Sequence, residues 1–74
     1  MTNFEKALEI IDRVSTDDRM RRYMRGSLAF ATVSEEDKEH FRGFTFALYL
    51  TEFITAEEKD ILRMAMYEKI PETV

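Results

Sequence analysis

Apolar residues along this chain recur at a spacing of three and four positions, which is the period of an α-helix. Four stretches show the pattern, at about residues 3–14, 16–31, 35–53 and 56–70. Glycine and proline, which are common in turns and at the ends of strands, are scarce: the chain has two glycines and one proline. The pattern predicts an all-α fold, a compact bundle of about four short helices forming a single domain over residues 1–74.

Each predicted helix is preceded by a start signal, a hydroxyl residue followed three positions later by an acid. The pairs are Thr2 and Glu5, Ser15 and Asp18, Ser34 and Asp37, and Thr55 and Glu58. The hydroxyl can accept a hydrogen bond from an amide of the first turn, and the acid can accept one from the amide of the cap residue. Four such pairs support the count of four helices. Pro71 is expected to stop the fourth, because proline cannot continue a helix.

The second predicted helix has an apolar stripe and, around it, a cluster of arginines. The stripe consists of Met20, Tyr23, Met24, Leu28 and Ala31, and the cluster of Arg19, Arg21, Arg22 and Arg25. A guanidinium group binds carboxylate or phosphate through two parallel hydrogen bonds, which lysine cannot do. The cluster is therefore a candidate partner- or anion-binding surface. A solvated face balanced by the neighbouring acids is the alternative explanation of the same pattern.

The third predicted helix has apolar residues on all sides of its C-terminal half. Phe41, Phe44 and Leu48 fall on one side, and Phe46, Tyr49, Leu50 and Phe53 fall on nearly the opposite side. A helix that is hydrophobic all round must be surrounded. Two arrangements would surround it: a central position inside a monomer, or a second copy of the chain packed against one side.

The fourth predicted helix is also apolar on two faces, and this favours the second arrangement. Ile61, Leu62 and Ala65 share one face, whereas Met64 and Tyr67 lie on another. Two such helices exceed what one small core can bury, and exposed apolar patches usually mark interfaces. The candidate interface of a homo-oligomer consists of Phe46, Tyr49, Leu50, Phe53, Met64 and Tyr67.

Chain length and composition also favour a homo-oligomer. At 74 residues the chain is near the lower limit for independent folding, where small proteins usually rely on disulfides, a metal or a partner. The chain has no cysteine and one histidine, so neither a disulfide nor a structural metal site is expected, and no cofactor is predicted. Oligomerisation remains as the stabilising device.

The charge distribution argues against nucleic acid and membrane as partners. The net charge is −4, with +1 on residues 1–33 and −5 on residues 34–74, which disfavours binding to phosphate backbones. A helix-turn-helix DNA-binding regulator is a weaker alternative because Asp17 and Asp18 occupy the start of the candidate recognition helix. No uncharged run is longer than residues 43–51, which is far shorter than the ~20 residues of a membrane span. With no signal-peptide pattern at its start, the protein is expected to be cytoplasmic.

No catalytic motif is present in the sequence. The chain lacks a dinucleotide-binding glycine motif, a P-loop, a nucleophile elbow and the zinc motif HExxH. His40 follows Glu36 by four residues, and an exposed pair on one helical face explains this spacing better than a metal site does. An enzyme is therefore not expected.

The segment from Leu50 to Glu58 resembles the helix end, short turn and capped helix found in small helical proteins of phages and mobile elements. The resemblance implies a small effector, acting in the host cytoplasm, that binds and blocks a host component or sequesters a signalling molecule. Together with the residue patterns it leads to our main hypothesis, a non-catalytic, homo-oligomeric protein that binds and blocks a partner macromolecule. The alternative is a module that sequesters a nucleotide-like anion through its arginine cluster.

Overall fold

Four α-helices run through residues 1–68, the part of the chain that the computed structural model describes. They are α1 (Asn3–Val14), α2 (Asp18–Ala31), α3 (Glu35–Leu50) and α4 (Ala56–Ala65), and these 68 residues contain no strand. Connections of three to five residues join successive helices, a length typical of antiparallel neighbours. The predicted all-α fold class is confirmed.

Three of the four predicted N-caps are observed, and one is wrong. The side chains of Thr2, Ser34 and Thr55 each accept a hydrogen bond from an amide of the first turn. Helix α2 begins later than predicted, because the Asp17 carboxylate accepts the bond from the amide of Met20 at 2.8 Å. A carboxylate at this position also interacts favourably with the positive end of the helix dipole. Ser15 instead closes α1, donating from its hydroxyl to the carbonyl of Ile11 at 2.6 Å.

The core is built from aliphatic side chains and a single aromatic ring. Helix α1 packs mainly against α4, and α2 packs mainly against α3, while α3–α4 and α1–α2 contacts close the bundle. The buried set is Ala7, Ile10, Ile11, Met24, Leu28, Ala31, Phe41, Ile54, Leu62, Ala65 and Met66. Tyr23 was predicted to belong to the apolar stripe of α2, and this is wrong, because 60% of the residue is exposed. Its position lies at the edge of the stripe, where a phenol can keep its polar end in water.

Helix α3 ends at Leu50, three residues before its predicted end. Glu52 has a φ of 66°, which is the left-handed conformation. The amide of Phe53 donates to the carbonyl of Leu48 at 2.9 Å, and the amide of Glu52 donates to the carbonyl of Tyr49 at 3.1 Å. This pair of bonds is a Schellman motif, in which glycine usually takes the left-handed position. Because glutamate stands there, the sequence shows no stop signal at this point.

Helix α4 is also shorter than predicted. Its last turn tightens, with the amides of Met66 and Tyr67 donating to carbonyls three residues back, and a turn follows Ala65. The predicted continuation to residue 68 is therefore wrong, whereas residues 69–70 and the stop at Pro71 lie outside the described residues. The carboxylate of Glu68 then caps the start of α1, accepting from the amides of Asn3 at 2.9 Å and Phe4 at 3.2 Å.

Helix α3 lies at the periphery of the fold. Its buried stripe consists of Lys38, Phe41 and Thr45, continued by the partly buried Leu48 and Tyr49. The side turned away from the core is exposed and apolar from residue 43 to residue 50. A central position inside a monomer, one of the two arrangements that would surround this helix, is therefore wrong.

Candidate functional site

The predicted arginine cluster on α2 divides into two pairs. All four side chains belong to exposed residues, but Arg21 forms an ion pair with Asp18 in the preceding turn, and Arg25 forms one with Asp12 of α1. Arg19 and Arg22 have no carboxylate within 4.0 Å among residues 1–68. The cluster therefore offers two guanidinium groups for an external partner, where the sequence suggested four.

The Arg25–Asp12 pair connects α1 to α2. The Nε atom of Arg25 donates to Oδ1 of Asp12 at 2.9 Å, and a terminal nitrogen donates to Oδ2 at 2.6 Å. This bidentate hydrogen bond lowers the pKa of the Asp12 carboxyl and raises the pKa of the Arg25 guanidinium. Both partners are substantially exposed, so the pair orients the two helices more than it stabilises them.

Two exposed aromatic residues lie on the same side of α2 as the unpaired arginines. Tyr23 and Phe30 are 60% and 64% exposed, and at 100° per residue they share the outer side of α2 with Arg19 and Arg22. We call these four residues the α2 outer face. Phe30 was not predicted from the sequence, although its spacing of seven from Tyr23 places both rings on one helical stripe. Arginine and aromatic side chains are the residue types most enriched in protein–protein interfaces.

The six predicted oligomer-interface residues do not form one continuous apolar patch. Five of them are exposed, from 53% for Phe46 to 63% for Leu50, and Tyr49 is partly buried. The ring of Phe46 contacts that of Tyr49 at a centroid distance of 6.5 Å, and Tyr49, Leu50 and Phe53 line one depression at the α3–α4 turn. Met64 and Tyr67 line a separate depression on α4.

Positive side chains lie between these two groups. The Nζ atom of Lys59 stands 4.5 Å from the centroid of the Tyr49 ring, in a cation–π contact. A guanidinium nitrogen of Arg42 donates to the hydroxyl of Tyr67 at 2.6 Å, and this hydrogen bond raises the pKa of Arg42. Tyr67 is therefore linked to α3 through Arg42, whereas Met64 shares its depression with Asp60 and Arg63 as well as Tyr67.

The continuous apolar surface lies on the outward side of α3. It consists of Gly43, Phe44, Phe46, Ala47 and Leu50, all exposed and without a charged residue among positions 43–50, and we call it the α3 outer strip. Gly43 and Ala47 form its centre, and nothing lies within 4 Å of the space that a side chain at Gly43 would occupy. Phe44 joins the strip to the α2 outer face through an edge-on contact with Tyr23 at 5.6 Å.

The structure shows no metal centre within residues 1–68. No group of three or more histidine, cysteine, aspartate or glutamate side chains there is placed to hold a metal ion. His40 and Glu36, predicted to share a helical face, both line a shallow depression on α3 with Gly43, Phe44 and Ala47. No helix in the same 68 residues has the length and apolar character needed to cross a membrane.

Comparison with known proteins adds no assignment. No family model, curated protein or solved structure matches the chain.

Proposed function

We propose that this protein acts by binding, as a small homo-oligomeric interaction protein that blocks a partner macromolecule. The observation that carries the proposal is the distribution of aromatic side chains. Six of the nine are exposed, whereas Phe41 alone is fully buried. A chain of this size that leaves most of its largest apolar side chains outside its core has surfaces suited to association.

The α3 outer strip is the surface that we assign to self-association. Small residues at its centre allow two helices to approach closely, and Phe44, Phe46 and Leu50 supply apolar area on either side. The strip itself carries no charge, so pairing two copies through it would bury none of its own residues as an unpaired ion, a burial that costs on the order of several kcal/mol.

Sedimentation velocity or light scattering at micromolar concentration tests this assignment. The wild-type chain is expected as a dimer or higher oligomer, and the Ala47→Glu variant, which places a charge at the centre of the strip, as a monomer. Ala56→Glu is the matched control because it introduces the same charge at an exposed helical position away from the strip. A monomeric wild-type chain, or equal masses for the two variants, would contradict the assignment.

The α2 outer face is the surface that we assign to the partner. Two unpaired guanidinium groups beside two exposed rings suit an acidic protein surface with apolar pockets. A pull-down with host lysate should retain a protein on the wild-type chain and lose it with Arg19→Gln/Arg22→Gln or with Phe30→Gln. A Lys6→Gln variant on exposed α1 controls for net charge. If the wild-type chain and all these variants retained the protein equally, the α2 outer face would not be the partner-binding surface. That the partner is a host component is supported only by the resemblance of residues 50–58.

The alternative, sequestration of a nucleotide-like anion by the α2 arginines, has weaker support. Two of the four guanidinium groups are already paired with aspartates, and replacing Arg25 would also break the ion pair that joins α1 to α2. Its test therefore uses the Arg19→Gln/Arg22→Gln variant, which should lose affinity for a nucleotide if these arginines bind it.

A further inference from the structure

A groove between α3 and α4 concentrates positive charge in a protein that is acidic overall. Its volume is about 360 Å³, and its lining consists of Arg42, Gly43, Thr45, Phe46, Lys59 and Arg63. Three of these six residues are cationic and none is acidic, although the chain has 15 acidic residues against 11 basic ones. This surface was not predicted from the sequence, because its cations come from two helices, with Arg42 17 positions from Lys59 and 21 from Arg63.

The three cations are not neutralised by carboxylates. None forms an ion pair within 4.0 Å with an acid of residues 1–68, although Glu35 and Glu39 lie close enough to Arg42 to raise its pKa. Arg42 is held instead by the hydroxyl of Tyr67, and Lys59 by the ring of Tyr49. Neutral aromatic partners orient these cations without cancelling their charge, and both keep donors available for a ligand.

The groove also contains an unsatisfied buried hydroxyl. Thr45 is the most buried of the lining residues, at 1% exposed, and its Oγ1 atom has no hydrogen-bond partner among the described residues. Buried polar atoms nearly always have a partner, and an unpaired one calls for a specific explanation. The Oγ1 atom has almost no accessible surface, so an acceptor oxygen brought by a ligand would satisfy this hydroxyl once the groove side chains move apart slightly.

We propose that the α3–α4 groove binds the phosphate group of a small organic phosphate. A phosphate monoester carries close to two negative charges near pH 7 and three strong acceptor oxygens, which matches three cations and one hydroxyl donor better than a carboxylate does. The ring of Phe46, 53% exposed beside the cations, offers an apolar face to the organic part. The volume lies near the lower end of the range for small-molecule sites, about 300–1,000 Å³, and so suits a ligand of mononucleotide size. This site is separate from the α2 outer face, but it shares Gly43 and Phe46 with the α3 outer strip, so ligand binding and self-association through the strip would compete for these two residues.

Calorimetric titration of the full chain with AMP, adenosine, inorganic phosphate and a single-stranded oligonucleotide tests the proposal. AMP is expected to bind saturably, inorganic phosphate to compete with it, and adenosine not to bind. Amide chemical shifts should change mainly at Arg42, Thr45, Phe46 and Arg63 during the AMP titration. Absence of saturable AMP binding at millimolar concentration, equal binding of adenosine, or binding only of a single-stranded oligonucleotide would overturn the proposal.

Two variants locate the site, and a third controls for charge. Arg63→Gln is expected to weaken AMP binding at least about tenfold, the usual effect of losing a charge-assisted hydrogen bond. Thr45→Val should also weaken AMP binding while leaving the melting temperature of the unliganded protein unchanged or raised, because it removes an unpaired hydroxyl. Lys6→Gln, an equal charge change at an exposed position of α1, should leave the affinity unaltered. An unchanged affinity in Arg63→Gln, or an equal loss in Lys6→Gln, would overturn the assignment. Thr45→Val that lowers the melting temperature without changing the affinity would show that the hydroxyl is structural and would overturn its role in binding.

Discussion

Replacing Glu52 by glycine should stabilise this protein. Glu52 occupies the left-handed position that ends α3, with φ at 66° and the two hydrogen bonds of a Schellman motif around it. This conformation is unfavourable by about 1–2 kcal/mol for a residue with a Cβ atom, whereas glycine adopts it without steric cost. The carboxylate also stands near the negative end of the helix dipole, which is unfavourable by about 0.3 kcal/mol or more at an exposed site.

The greater flexibility of glycine in the unfolded chain opposes this gain by about 0.5–1 kcal/mol. The net increase in the free energy of unfolding is therefore about 1 kcal/mol, which corresponds to a rise in melting temperature of about 4–8 °C for a chain of this size. Thermal and urea denaturation followed by circular dichroism would measure it. Wild type and variants must be compared at one protein concentration, because association shifts apparent stability.

Two control variants separate the backbone effect from the charge effect. Glu52→Gln removes the charge and keeps the strained conformation, so it should change stability by a few tenths of a kcal/mol. Glu39→Gly makes the same substitution at an exposed position inside α3 and should destabilise by about 1 kcal/mol, since glycine is a poor helix former. If Glu52→Gly destabilised the protein as much as Glu39→Gly, the left-handed termination of α3 would be refuted.

Two further predictions concern carboxylates that link distant parts of the chain. Hydrogen bonds from Arg13 and from the Thr55 backbone lower the pKa of Glu58 in the folded protein. The ionised Glu58 therefore stabilises the fold fully above the pKa of about 4.3 that the group has in the unfolded chain. This stabilisation is lost as the pH falls through the lower pKa of Glu58 in the folded protein. Glu58→Gln should therefore be less stable than wild type at pH 7, and the gap should narrow towards pH 3; a gap that stays constant with pH would contradict this. Glu68→Ala should cost about 1 kcal/mol, because it leaves the amides of Asn3 and Phe4 without their carboxylate acceptor while the Thr2 cap remains. Glu9→Ala, an exposed control on α1, should change stability by under about 0.5 kcal/mol. Equal losses in the two variants would show that the Glu68 hydrogen bonds contribute nothing.

The sequence predicted helices well and their ends less well. Caps at Thr2, Ser34 and Thr55 were recognisable because capping depends on residues three positions apart. The end of α3 was missed because a glutamate occupies the position where glycine would mark the stop. The end of α4 was missed because the tightened turn after Ala65 has no signal of its own, and Glu68 caps an amide more than 60 positions away.

For the candidate surfaces too, features within one helix were predictable from the sequence and features that join two helices were not. The arginines of α2 and the apolar half of α3 were visible in the sequence, since both lie within a few helical turns. Pairing of Arg25 with Asp12 was not predictable, because it depends on how α1 and α2 pack. The groove that joins Arg42, Lys59 and Arg63 was likewise not predictable, because two helices supply its cations.

The sequence by itself therefore determined the fold class, the number of helices and most of their starting points. These properties follow from hydrophobic periodicity and capping, which act over three or four residues. Only the tertiary structure decided which arginines remain unpaired, that α3 lies at the periphery and that a basic groove opens beside Thr45. Each of these depends on which helix faces which, and helix packing is set by the fit of whole side-chain surfaces, which no single stretch of sequence contains.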